Sequence, residues 1–273
     1  MKQLPIIQDT KKIFWKKGAC SHTLFHLINR YYENNNPAEE RAADPLAGGI
    51  LQKGHQCGML WGAALAIGKE AYFRSDTSDE AIAMTMNATR NVMDSFQADA
   101  ESILCTDITD CDFNNRWSST KYFLSGRFLK CFNLAEDWVP KAIATIEESF
   151  DEKIDPSDNL KSCSAEVLKK MGALEEEIVM VSGFTGGLGL SGEACGALAA
   201  SIWYATLLDI LDKPTKSAHK NPKAVQKYEE FIKYTEGKIK CKDICGKKFT
   251  TLSDHSTYIN NDGCAHIIDL LAE

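Results

Sequence analysis

The sequence predicts an all-α protein built as two tandem, duplicated helical domains related by pseudo-symmetry, and three observations carry that prediction. Gly48 to Gly58 and Gly186 to Gly196 both read GGxxxxGxxCG, and each leads into an apolar run of helical length. Eight of the ten cysteines form two quartets, Cys20, Cys57, Cys105 and Cys131, then Cys163, Cys195, Cys241 and Cys264, with steps of 37, 48 and 26 residues in the first and 32, 46 and 23 in the second. Period-two alternation is scarce, whereas apolar residues recur at helical spacing. At 273 residues the chain is near the size at which one core splits into two, so the domains are set at 1–150 and 151–273, each long enough to bury its own core.

Taken in order, a basic and aromatic lead-in, Lys11 to Lys17, ends at Gly18. A helix follows from Ser21 to Tyr32, with Leu24, Leu27 and Ile28 on one face and Cys20 at its start. Asn34 to Pro37 breaks it, and Pro37 opens a second helix with Glu39 and Glu40 in the first turn. The glycine-rich approach to Cys57 runs into a helix over Met59 to Arg74, followed by another over Asp79 to Gln97. A loop carries Cys105 and Cys111, and a closing helix spans Cys131 to Phe150, kinked or started by Pro140. Asp151 to Asn159 reads as the linker, after which the second half repeats the order.

The formal net charge of -7 argues against nucleic acid, which needs a basic surface. Met1 to Thr10 shows neither a signal peptide nor a membrane anchor, so a cytoplasmic protein without membrane insertion is expected. Ten cysteines in such a compartment are not expected to be structural disulfides. One segment is locally basic: Lys213 to Lys248 holds eleven lysines against four acids, a charge of +7, and is expected to dock an acidic partner. Ile178 to Val181 before Gly186 looks like a strand entering a dinucleotide-binding loop. The duplication opposes that reading, because the matching stretch, Ala38 to Leu46, contains Glu39, Glu40 and Arg41.

The repeated glycines, Gly48, Gly49, Gly54 and Gly58 with Gly186, Gly187, Gly192 and Gly196, permit positive φ and let backbone N–H groups approach a bound group closely. Cysteines at helix starts gain from the N-terminal dipole, which favours a thiolate for metal binding or redox exchange. Cys111 and Cys245 fall outside the repeated pattern, since they align with Lys247 and Thr109, and are expected to be spare. His22 and His55 align with Ala165 and Glu193, which disfavours histidine as part of a repeated ligand set.

With those residues in view, the chain resembles the C-GCAxxG-C-C family of redox-active proteins, here in tandem. The signature lies at Gln56-Cys57-Gly58-Met59-Leu60-Trp61-Gly62 and Ala194-Cys195-Gly196-Ala197, with Met59 in place of a small residue and Ala200 where Gly62 keeps the later glycine. The resemblance implies a helical module holding an iron–sulfur cluster, similar to that of split-Soret-type cytochromes, although no Cys-x-x-Cys-His for covalent haem is present. Four spaced cysteines per half suit four thiolate ligands, so one cluster per half is expected, held by the two quartets. Zinc is the rival, although only Cys241 and Cys245 stand at the short spacing that structural zinc favours. A metal-free thiol–disulfide oxidoreductase is the other alternative. The favoured reading is an electron-transfer protein, or the redox component of a larger system, whose acidic partner is of the ferredoxin or flavodoxin kind.

Overall fold

The computed structural model describes residues 9–152, 160–213, 218 and 220–273. The expected linker lies mostly outside them, as do Lys216 and most of the N-terminal stretch. Among the described residues there are fifteen α-helices, two short 3₁₀ turns and no strand. The order in the first half is α1 (Thr10–Lys17), α2 (Cys20–Tyr32), α3 (Pro37–Ala42), a 3₁₀ turn (Asp44–Leu46), α4 (Gly58–Arg74), α5 (Ser78–Ala100), α6 (Cys105–Thr109), α7 (Arg116–Leu124) and α8 (Phe128–Phe150). The second half follows as α9 (Cys163–Lys170), α10 (Glu175–Val181), a 3₁₀ turn (Ser182–Phe184), α11 (Gly196–Asp212), α12 (Pro222–Tyr234), α13 (Cys241–Cys245), α14 (Leu252–Asn260) and α15 (Ala265–Ala272). Apart from α1 the two lists match element for element. The closing helix α8 begins before Cys131 and runs unbroken through Pro140.

The duplication is also visible in local chemistry. Asn36 caps α3 by accepting from the backbone of Ala38 and Glu39, with Pro37 in the first turn where its missing N–H costs nothing. Central helices α4 and α11 are both 17 residues long and buried on nearly every face, as an all-round apolar helix must be. Ile178 to Val181 lies in α10, so no strand enters the glycine loop that follows.

The halves do not keep separate cores. One continuous apolar cluster runs from Phe14 to Leu271 and includes the fully buried Trp61, Trp138 and Trp203. The reason is reciprocal packing: α10 of the second half lies on α4, and α3 of the first lies on α11. Gly68 permits the first crossing, because a Cβ there would stand 2.5 Å from the Met180 Cα. Trp61 meets Phe184 edge to face at 4.8 Å, and Trp203 donates its indole N–H to the Glu39 carbonyl. A buried Lys69 bridges Glu39 at 2.5 Å and Glu176 at 2.8 Å, so an ion triad also spans the halves.

Candidate functional site

Each glycine-rich loop folds into the same left-handed turn. Residues 48 to 52 have φ of 66°, 75°, 56°, 51° and 60°, and residues 186 to 190 have φ of 60°, 80°, 64°, 53° and 62°. Five of these ten are not glycine: Ile50, Leu51, Gln52, Leu188 and Leu190. A left-handed conformation costs an L-residue roughly 1–2 kcal/mol, so the turn must be held from outside. It is held by matching bonds: the N–H groups of Ile50, Leu51 and Gln52 reach the carbonyls of Leu46, Pro45 and Ala47, and those of Leu188, Gly189 and Leu190 reach Phe184, Gly183 and Thr185. The result is that the Gly48 N–H points at the Cys20 sulfur and the Gly186 N–H at Cys163.

A second repeated contact carries the other cysteines. Cys57 N–H donates to the Ile103 carbonyl and Cys105 N–H to His55, at 2.7 Å each; Cys195 and Cys241 make the same bonds to Ile239 and Glu193 at 2.8 and 2.6 Å. This pins the residue before α4 to the start of α6, and the residue before α11 to the start of α13. Gly58 and Gly196 open the central helices without positive φ, and their role is close approach. A Cβ would stand 2.5 Å from the Cys20 sulfur at Gly58 and 1.8 Å from the Phe184 carbonyl oxygen at Gly196. At Gly62 it would stand 2.0 Å from the Ser21 carbonyl, whereas the second half accommodates Ala200, fully buried, at the matching position.

The four cysteines of each quartet come together, but the two sites differ in volume. Cys20, Cys57, Cys105 and Cys131 line a cavity of roughly 400 Å³, a size at which proteins hold small molecules and cofactors. Its wall is aromatic and includes Phe14, Trp15, Phe113, Tyr122, Phe128 and Phe132. Cys163, Cys195, Cys241 and Cys264 surround only about 10 Å³, and Cys245 shares that space. The Cys245 sulfur lies 3.9 Å from Cys241 and 3.9 Å from Cys264. Cys245 is therefore part of the second cluster of thiols, contrary to its expected place outside it. Its helical spacing from Cys241 puts both on one face of α13, which alignment with Thr109 conceals. Cys111 is buried, accepts a hydrogen bond from the Ser118 hydroxyl and does not line the cavity.

Burial governs the thiol acidities more than the helix starts do. It pushes Cys131 up to about 11, Cys163 to about 12 and Cys195 to about 11, and it holds Cys105 well above the usual thiol value. The exceptions are thiols that receive hydrogen bonds: Cys20 falls to about 7 through Cys57, its own helix start and the Gly48 N–H, and Cys245 falls to about 3 through Cys241, Cys264 and Tyr258. The expectation that helix dipoles would lower all of them is corrected by desolvation, which disfavours the charged form of a buried thiol.

One repeated feature was not singled out by the cysteine pattern. Tyr122 stands 3.4 Å from the Cys131 sulfur, and its counterpart Tyr258 hydrogen-bonds Cys245. Both stack edgewise or tilted on aligned phenylalanines, Phe113 at 5.3 Å and Phe249 at 5.2 Å. The alignment that found those phenylalanines also contains the tyrosines. His22 is engaged with Asp44 at 2.9 Å and lines neither cavity. Among the described residues, no three His, Cys, Asp or Glu side chains are grouped closely enough to hold a single metal ion. No described helix is long and apolar enough to cross a membrane.

Comparison with known proteins agrees with this repeated architecture. Residues 19–145 and 161–273 each match the family described as putative redox-active protein (C_GCAxxG_C_C). Searches of curated proteins and of solved structures returned no match. With both halves matched over most of their length, the chain belongs to the C-GCAxxG-C-C family, as a tandem duplication.

Proposed function

We propose that the protein is an electron carrier, or the redox component of a larger system, whose working group is an iron–sulfur cluster held in the first half by Cys20, Cys57, Cys105 and Cys131. The observation that carries this reading is the fit of that quartet: four thiols facing one apolar cavity of roughly 400 Å³. A bound cluster would exchange the thiol protons for metal bonds, so its binding strengthens as pH rises. A bound cluster would supply a one-electron couple. The chain's part is to hold and tune it. Gly48 and Ser21 aim N–H groups at the Cys20 sulfur, Tyr122 bonds Cys131, and the aromatic wall limits water.

The rim supports docking by an acidic electron carrier of the ferredoxin or flavodoxin kind. Trp15 is 72% exposed and Phe123 60%, and both border the cavity. Lys12, Lys16, Lys121 and Lys130 on the rim helices make no ion pair among the described residues. The lysine-rich segment near Cys241 is more self-compensated, since Lys240 and Lys242 both bind Glu193, and Lys223 and Lys247 bind Asp209 and Asp254. Exposed complementary charge speeds association and is screened by salt.

The reading places no cluster in the second quartet, whose thiols pack with Cys245 at 3.9 Å around only about 10 Å³. The test is a visible spectrum of anaerobically purified protein with iron, sulfide and zinc counts. The reading predicts equimolar iron and sulfide with sulfur-to-iron absorption that bleaches on reduction. Zinc alone, or a colourless metal-free protein, would overturn it.

A further inference from the structure

We infer that the second half is a separate dithiol–disulfide site, in which Cys245 and Cys264 form a reversible bond by exchange with a low-molecular-weight disulfide. This goes beyond the cluster reading and rests on one part of it, that the second quartet is not ligated to iron. Three observations place the pair. The sulfurs lie 3.9 Å apart, so closing to the ~2.05 Å of a disulfide needs only a small movement. Of the five thiols gathered there, Cys163, Cys195 and Cys241 are buried, while Cys245 and Cys264 are partly exposed, so these two can meet a soluble disulfide. Gly246, directly after Cys245, has φ of 70° and nothing within 4 Å of a Cβ position, so the end of α13 borders open space.

Cys241 is equally near Cys245 but is the poorer partner. The two are four residues apart in one helix, where Cβ atoms stand about 5–6 Å apart, and a disulfide needs about 3.5–4.5 Å. Bonding them would unwind α13. Cys264 comes from a different element, the residue capping α15, and carries no such constraint. The first half has no equivalent pair, because Thr109 stands where Cys245 does.

The exchange balances without another reagent. The Cys245 thiolate attacks one sulfur of R–S–S–R, forming a mixed disulfide and releasing one R–S⁻, which takes up the proton lost by Cys245. Cys264 then attacks the Cys245 sulfur, forming the Cys245–Cys264 bond and releasing the second thiol. Two protein thiols are oxidised and one external disulfide is reduced to two thiols.

The test is to equilibrate the whole, anaerobically purified protein with mixtures of oxidised and reduced glutathione, alkylate, digest with trypsin and map disulfides by mass spectrometry. The expected product joins the peptide of Asp243 to Lys247 to that of Phe249 to Glu273, and it disappears when reduced glutathione dominates. Cys241→Ser retains the link and Cys245→Thr abolishes it, with iron content unchanged in both. A Cys241–Cys245 bond, glutathione adducts without a cross-link, or no thiol loss at any ratio would overturn the inference. So would loss of iron in Cys245→Thr. Because iron is counted separately, a protein with no iron at all that still forms the link would sink the cluster reading and leave this one standing.

Discussion

The two halves share a backbone and differ in what the backbone encloses. Left-handed turn, N–H to cysteine contacts and paired loop bonds recur nearly bond for bond, yet one site holds roughly 400 Å³ and the other about 10 Å³. The difference comes from side chains and from one added helix. In the first half α1 brings Phe14 and Trp15 to the wall, and α8 contributes Phe128 and Phe132, so bulky rings hold the walls apart. In the second, Cys245 replaces Thr109 and reaches into the space, and Ala197 stands where Met59 does. The repeat shares the scaffold that positions four thiols, and different residues at a few lining positions change the space those thiols enclose.

The largest effect expected from breaking this comparison is at the helix-start glycines. Gly196→Ala forces a methyl against the Phe184 carbonyl at 1.8 Å, backbone that cannot yield, and should cost about 3 kcal/mol, at the upper end for overpacking. Gly58→Ala first meets the Cys20 sulfur, at 2.5 Å, so it should displace a thiol and lower iron content. Denaturant midpoints and iron counts on the two variants separate these outcomes, and equal iron loss in both would contradict the distinction.

Next comes the contact between the halves. Gln56 donates to the Gly187 carbonyl at 2.7 Å and accepts from the Ala194 N–H at 3.1 Å. Ala194, its own counterpart, cannot return the bond, so the lock runs one way. Gln56→Ala leaves the Ala194 N–H buried without its acceptor, while the Gly187 carbonyl keeps the Ser191 hydroxyl, and should cost about 1–2 kcal/mol in urea unfolding. A change below a few tenths would mean that water replaces the amide there.

Smaller again is removal of one tyrosine hydroxyl. Tyr122→Phe deletes the bond to Cys131 and should cost about 1 kcal/mol while shifting the reduction potential of the first half. Tyr258→Phe should leave that potential untouched and slow formation of the Cys245–Cys264 link. If both variants shift the potential equally, the sites are not independent.

The smallest effect concerns acid. Burial opposes the charge on Glu40, yet hydrogen bonds from His26 and Asn35 bring its pKa down from 4.5 to about 2. Because the folded value is depressed, the stabilisation is complete above pH 4.5 and is lost as pH falls through 2. Its aligned position in the second half is Ile178, so the first half should loosen earlier in acid. Amide exchange resolved by segment should show α2 and α3 opening before α9 and α10, and Glu40→Gln should remove the difference.

The duplication was legible in sequence because glycine and cysteine mark backbone and chemistry directly: Gly48, Gly49 and Gly54 do take positive φ, with Gly186, Gly187 and Gly192. Ile50 and Leu51 were not legible as left-handed residues, since nothing in their chemistry favours that conformation and tertiary bonds impose it. The long helices of the first half were read to within a few residues, but α1 was read as a lead-in, α6 as part of a loop and α7 not at all, and separate cores were not to be found, because reciprocal packing of α3 and α10 joins them. Cys245 was misplaced by reasoning from repetition, which finds what the halves share and is blind to what one of them acquired. Cavity volume depends on side chains from four or more elements, and periodicity carries no record of it.

Iron and acid-labile sulfide counted on purified Cys57→Ser and Cys195→Ser test the central claim most directly, with helical circular dichroism as the check that each variant is folded. The account predicts that Cys57→Ser loses nearly all iron and its visible absorption, while Cys195→Ser keeps both. If each variant instead loses about half of the iron, the halves hold equivalent clusters and the functional divergence argued from the two cavities is wrong.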